Sequence, residues 1–403
     1  MIFFKHLIKQ SFFRIINRMA FLWASILILS PLLMQSQTKP IEVKGLILDE
    51  FNSPIPYVAV GIVKKNIGIA STEDGEFSFI VSENELQDTL SISSLGFNPF
   101  KIIVEDYLKS EEKTIVLVET TTQLNEVYLL SPKGYVLSAV NKLKENTLSE
   151  PHKLEILYRR ATTENNLPKF FVEHYLHVRD KGPAYSPGIV QVLEGRKSAD
   201  YRIYKGAQWQ HSINALFNTN PLRPHESQHS RNLKKFEWKR IGDSSFEGED
   251  VMIVQGQNPK IDWEKITFYI GLDSFKVYRI ERGPSLFVYK KHNTGKLVLS
   301  YFKNEWKLKK HMIPARFHGT DAEISHFKTE AFITNTSTDK KEYRRIYPFG
   351  GDTDMGNLEL PYHADFWKNL NMPPDTKFYK RIKEGLESNF GVSLEQQYEL
   401  VNR

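Results

Sequence analysis

The chain contains no cysteine. Disulfides, thiolate metal sites, cysteine nucleophiles and a lipidated N-terminal cysteine are therefore excluded. It also lacks a marked excess of one charge. The formal +6 falls to +2 once Lys5, Lys9, Arg14 and Arg18 of the leader are set aside, which is too balanced to argue for a nucleic-acid partner. Nucleophile elbows, phosphate-binding loops and dinucleotide fingerprints are missing, and no motif calls for a cofactor. Beyond residue 33 no apolar run is long enough to cross a bilayer as a helix. What is present is a globular composition, 40% hydrophobic, 25% charged and 12% aromatic over 403 residues, enough for two or three domains.

Residues 1–18 hold four basic side chains and no acid, and Ala20 to Leu33 is an apolar stretch interrupted only by two serines and Pro31. With the short polar exit Met34-Gln35-Ser36-Gln37, this is the order of a secretory signal. The expectation is a signal peptide over 1–36, export, and a mature N-terminus near Gln37; an uncleaved N-terminal anchor is the alternative.

The rest divides by charge. Residues 41–130 carry 6 Lys, no Arg and 15 acids, a net −9, whereas 131–403 carry a net +10. Either the two blocks are separately solvated, or they attract each other, or the basic block faces anionic lipid headgroups. The acidic block reads as seven or so short strands divided by turns such as Asp49 to Pro56 and Asp74-Gly75, the pattern of a sandwich. From Ser131, which pairs an N-cap with a first-turn proline, Val136, Val140 and Leu143 recur at helical spacing. From Leu154 to Thr334 alternating aromatic and β-branched residues predict an antiparallel meander of about ten strands. Asp375 is the expected cap of a helix carrying Phe378, Ile382 and Leu386, and Ser393 with Gln396 is a capping-box pair. The expected layout is a sandwich at 41–130, a linker helix at 131–150, an antiparallel β-rich domain at 151–348, and a C-terminal loop and helices at 349–403.

The run GLILDEFNSPIPYVAVGIVKKNIGIASTEDGEFSF followed by LSISSLGF resembles the carboxypeptidase-like regulatory domain, with Gly45, Asp49, Pro56, Thr72, Asp74, Gly75, Phe77, Ser93 or Ser94, Gly96 and Phe97 at the family positions. The resemblance covers about 90 residues. It implies an Ig/transthyretin-like, seven-stranded accessory sandwich of Gram-negative envelopes that brings no catalytic residues. DFWKNLN and GVSLEQQYELV are similar to the closing segment of envelope proteins that join this sandwich to a β domain. Those β domains are similar to half-barrels that carry lipid or lipoprotein, so the implied fold class is a sandwich followed by an α+β, half-barrel-like domain.

Candidate chemistry is sparse. His225-Glu226-x-x-His229 spells the zincin pattern, in which two histidines on one helical face bind Zn²⁺ and the glutamate polarises water. Its flanks are polar throughout, and no third ligand is evident, Glu247 and Glu249 flanking Gly248 in a hairpin turn. Asp352-Thr353-Asp354 with Gly356 resembles the opening of a calcium loop, and a plain turn explains it more simply. Trp209, Trp238, Trp263 and Trp306 either line a groove or fill the sheet core. The first reading is accordingly a non-enzymatic protein of the periplasm or of the periplasmic face of the outer membrane, with no catalytic or metal residue. Its β domain holds lipid or another amphipathic ligand on an apolar face left open by the helices near 135–145 and 376–388. The alternatives are a secreted zinc hydrolase and an accessory partner of a TonB-dependent outer-membrane receptor.

Overall fold

The computed structural model describes residues 40–120, 130–199, 211–223, 230–312, 323–349 and 354–401. The leader, its exit and the zincin pattern at His225, Glu226 and His229 lie outside them, as do Trp209, Asp352 and Thr353. Among the described residues, 42–81 and those from 85 onward belong to one compact unit.

Seven short strands build the N-terminal part: β1 (Ile41–Leu48), β2 (Ala59–Ile62), β3 (Ile67–Ala70), β4 (Glu76–Val81), β5 (Thr89–Ser93), β6 (Phe100–Ile103) and β7 (Thr114–Val116). They form a three-stranded sheet in the order β4-β1-β7 and a four-stranded one in the order β3-β2-β5-β6. A short helix, α1 (Val104–Lys109), follows β6 and was not foreseen. Val43, Ile47, Phe77, Phe79, Leu90 and Ile92 are fully buried in this part. Gly45 is required by close approach, because the Tyr107 hydroxyl donates to Lys44 O at 2.8 Å and a Cβ at Gly45 would lie 2.2 Å from that hydroxyl.

The second part holds β8 (His152–Glu164), β9 (Leu167–Asp180), β10 (Val190–Lys197), β11 (Glu237–Phe246), β12 (Glu249–Gln257), β13 (Lys265–Gly271), β14 (Val277–Arg282), β15 (Ser285–Lys291), β16 (Leu297–Lys309) and β17 (Ile324–Ser337). They form one ten-stranded antiparallel sheet in the order β10-β9-β8-β17-β16-β15-β14-β13-β12-β11, so the expected meander is broken between β10 and β11, which become the edges, and its last strand pairs with its first. The helices are α2 (Pro132–Asn141), α3 (Leu143–Asn146), α4 (Asn214–Asn218), α5 (Lys340–Arg344), α6 (Ala364–Asn369), α7 (Lys377–Phe390) and α8 (Leu394–Val401).

Local cap chemistry accounts for the helix ends. Ser131 accepts from Gly134 N with Pro132 in the first turn, and Ser393 and Gln396 form the reciprocal capping box. Two details differ from the sequence reading. The inward face of α2 is Tyr135, Val136 and Ala139, with Val140 turned outward. Thr376 caps α7, accepting from Tyr379 N, while Asp375 is drawn instead to Lys383 and Arg159.

The two faces of the large sheet bury different chemistry. One is apolar: Ile156, Tyr158, Leu176, Val254, Phe268, Ile280 and Ile333 join Tyr135, Val136 and Phe217 in a continuous core. The expected open apolar surface is not found here, since these side chains are shielded from solvent. The reason is that the chain between β10 and β11 adds Ile213, Leu216, Phe217, Leu222, Leu233 and Phe236 to the cover, although the two expected helices do not share a face. Helix α2 joins the apolar core, whereas α7 packs on β9 through Tyr379, Ile382, Leu386 and Phe171 on the opposite side. We expect Gly45→Ala to destabilise the protein by about 1–3 kcal/mol through overpacking, read as a lower urea midpoint; an unchanged midpoint would show that the approach of Tyr107 is dispensable.

Candidate functional site

The second face of the sheet carries charge where a one-sided sheet would carry water. Strand pairing places Arg196 (β10), Glu173 (β9), Arg159 (β8), Glu330 (β17) and Lys303 (β16) in one cross-strand row of alternating sign. Arg159, Glu173 and Glu330 are essentially inaccessible. Ions removed from water cost several kcal/mol each unless paired, and here they are paired. Arg196 Nε donates to Glu173 Oε2 at 2.6 Å and Arg159 Nε to Glu330 Oε2 at 3.0 Å, while the Tyr301 hydroxyl donates to Glu330 Oε1. Aromatic rings roof the cations. Arg159 lies 3.8 Å from the Tyr379 ring centroid, Arg196 lies 4.3 Å from that of Trp367, and Lys328 lies 4.7 Å from that of Phe378.

The N-terminal part docks onto this face by its own turns. In Thr72-Glu73-Asp74-Gly75 the turn closes through Gly75 N to Thr72 O, with Gly75 at φ +78°. Glu73 accepts from buried Lys328 at 2.5 Å, and Asp74 accepts from Lys377 N, the first residue of α7, at 2.6 Å. The favourable charge at a helix N-terminus adds to that contact. Tyr57 stacks on Tyr301 at 4.2 Å, and Gly96 N donates to Ser245 O. Of the readings left open for the charge split, attraction between the blocks is thus present, and it is local and stereospecific.

Burial alone would raise the Glu330 carboxyl, but Arg159 and Lys328 outweigh it and hold it below the ordinary range. Glu173 behaves in the same way, with Arg196, Lys383 and Arg159 outweighing its burial.

Between the two parts lies a cleft of about 440 Å³ lined by Glu42, Ser78 and Ile80 on one side, Leu157, Arg159, Glu173 and Arg196 on the sheet, and the segment from Lys368 to Asp375 with Lys383. It is within the size range of small-molecule sites, about 300–1,000 Å³. Its carboxylates are partnered: Glu173 with Arg196, Asp375 with Lys383, and Glu42 with Lys44 and Ser78.

The residues singled out from sequence behave mostly as framework. Glu247 and Glu249 flank the β11–β12 turn and are engaged by Lys291 and by Tyr278 and Ser274 N. Asp354 accepts from Gly356 N and His211 N, which is turn chemistry. Trp238 stacks between Phe236 and Phe268, Trp306 stacks on Phe327, and Trp263 is exposed. Two buried clusters resemble acid–base machinery without its chemistry. Arg223 forks onto Asp180 at 3.0 and 2.6 Å and occupies the carboxylate, with His152 3.8 Å away. Burial, then Lys197, push the His174 imidazole down to about 3, so it stays neutral at physiological pH. Among the described residues no group of three or more acidic or histidine side chains is placed to hold a metal.

Replacing Glu330 with Gln strands Arg159 and leaves Lys328 with Glu73 alone, and we expect a loss of about 3–5 kcal/mol, measured by urea unfolding at pH 7. A carboxyl whose folded pKa lies below its unfolded value of about 4.3 stabilises the fold above that value and ceases to as pH falls through the folded pKa. The wild-type midpoint should therefore drop below about pH 4, and the Glu330→Gln protein should show a shallower drop; parallel pH profiles would contradict this.

Three comparisons place these features among known proteins. Residues 43–129 match the model of the CarboxypepD_reg-like domain. No curated protein matches the chain. Solved structures with a distant likeness include an outer membrane lipoprotein-sorting protein domain from Vibrio parahaemolyticus (9% identity, 52% of this chain and 96% of that one, TM-score 0.27). A DUF1329 family protein from Desulfovibrio piger (13%, 52% and 95%, TM-score 0.26) and a LolA superfamily protein from Nitrosomonas europaea (13%, 51% and 93%, TM-score 0.26) are similar to the same degree. Likeness at that level fixes neither ligand nor partner. The N-terminal assignment stands on its own motif turns: residues 43–129 are a CarboxypepD_reg-like domain.

Proposed function

We propose that this is an exported, non-enzymatic protein of the cell envelope in which the CarboxypepD_reg-like sandwich and the ten-stranded sheet act together as one binding or scaffold body. The observation that carries the reading is that both motif turns of the sandwich, at Gly75 and at Gly96, dock onto the second part and leave a polar cleft beside the first of these contacts. A fixed platform with a cleft suits recognition. The buried histidine and carboxylates described above are satisfied or neutralised, which suits a framework better than proton transfer. The filled apolar face argues against acyl chains lying on it, so any amphipathic ligand belongs in the cleft.

The proposed layout is a signal peptide over 1–36, the sandwich over 41–130, the linker over 131–150, the β domain over 151–348 and the closing segment over 349–403. No helix among the described residues is long and apolar enough to cross a membrane. The compartment is the periplasm or the periplasmic face of the outer membrane, with an envelope protein, such as a TonB-dependent receptor, as the partner class. Cell fractionation should recover the protein with the envelope, starting near Gln37 by N-terminal sequencing; cytoplasmic protein beginning at Met1 would refute export. The same purified sample should lack stoichiometric zinc. One zinc per chain, lost on His229→Ala, would replace this reading with the hydrolase.

A further inference from the structure

Arg159 sits at the floor of the cleft with its donors only partly used. Its Nε bonds Glu330, and Nη1 is 3.6 Å from Asp375 Oδ1, beyond hydrogen-bond length. Nη2 is buried and has no hydrogen-bond partner. The guanidinium cannot turn to find one, because Tyr379 at 3.8 Å and Phe332 at 5.1 Å hold its plane. A buried, unmatched donor is unusual in folded proteins, and here it leaves a guanidinium that lines the cleft short of acceptors. Asp375 does not fill that role, since Lys383 holds it at 2.6 Å.

The second observation is charge. Each carboxylate lining the cleft already has its own cation, whereas Lys368, exposed on α6, has no ion pair among the described residues. Lys368 is thus the lining cation without an ion pair, and Arg159, although paired with Glu330 through Nε, keeps hydrogen-bonding capacity on its Nη2. The third is the apolar remainder of the lining, Ile80, Leu157, Leu370, Met372 and Pro373. It can take a short hydrocarbon body but not a second charge.

We infer that this cleft binds a small amphipathic anion, a carboxylate or phosphate monoester on a short apolar stem, with its head on Arg159 and Lys368. A planar fork favours oxyanions of that kind. The inference deepens the binding reading above and names its ligand class.

The full chain would be titrated calorimetrically with octanoate, octyl phosphate and 1-octanol. Both anions, or one of them, should bind with one-to-one stoichiometry and at least about tenfold more tightly than octanol; the tighter head tells whether the source is a carboxylate or a phosphate. Lys368→Glu should weaken anion binding by about tenfold, and Leu370→Trp, which fills the cleft, should abolish it. Both variants keep the Arg159–Glu330 pair, and their melting midpoints report whether they are folded. Anions that bind no better than octanol, or that bind folded Lys368→Glu and Leu370→Trp as they bind wild type, would overturn the inference. Fractionation and zinc analysis would be unaffected by that failure, so the wider reading is tested separately.

Discussion

The junction of the two halves centres on keeping charge satisfied on a sheet face that is buried along β8, β9 and β17. Glu330 is the hub. It accepts from Arg159 and Tyr301, and Lys328 lies 3.8 Å away on the same strand. Lys328 then reaches out of the sheet to Glu73 of the sandwich. A lone carboxylate or ammonium at these depths would be too costly to ionise. Alternation of sign across five strands, with rings over the cations, makes each charge the solvent of the next.

The same arrangement explains why the accessory domain is not merely tethered. Its surface need not be apolar to dock, because Glu73, Asp74 and Tyr57 supply a carboxylate for Lys328, an acceptor for the first amide of α7, and a ring for Tyr301. These contacts are directional, so they set orientation as well as affinity. Lys290 reaches Gly68 O and Asn293 N reaches Asn66 Oδ1 on a neighbouring edge of the sandwich, which adds a second line of contact. A polar cleft beside such an interface has fixed walls, and that is the condition for selective recognition.

Local chemistry was readable from sequence, and non-local pairing was not. Gly75 in its turn, the Ser131-Pro132 cap and the Ser393/Gln396 box each act within four residues, and all three stand as read. The number and antiparallel sense of the long strands also followed from their alternation. The charged row did not, because period-two reasoning assigns Arg159, Glu173 and Glu330 to a solvent face. Their burial is decided by distant partners, Glu330 lying 171 residues from Arg159. The signal that was present is a charge in the middle of apolar strand text, FFVEHYL around Glu173 and FKTEAFI around Glu330. Such charges of both signs on several long strands point to a sheet covered on both faces. Asp375 illustrates the same limit on a small scale: it has capping chemistry, but the tertiary pull of Lys383 and Arg159 leaves the cap to Thr376.

The central claim is that the sandwich and the large sheet are one cooperative body held by this buried network. Tryptophan fluorescence does not report the sandwich, because no tryptophan lies between residues 41 and 130, and hydrogen exchange of peptides spanning β2 and β5 reports only the sandwich. Both should be followed through one urea titration of the full chain. Coincident midpoints in wild type, and separated midpoints when Lys328→Met removes the partner of Glu73, are the result the account predicts. Sandwich peptides that open at a different urea concentration from the fluorescence transition in the wild-type protein would contradict it.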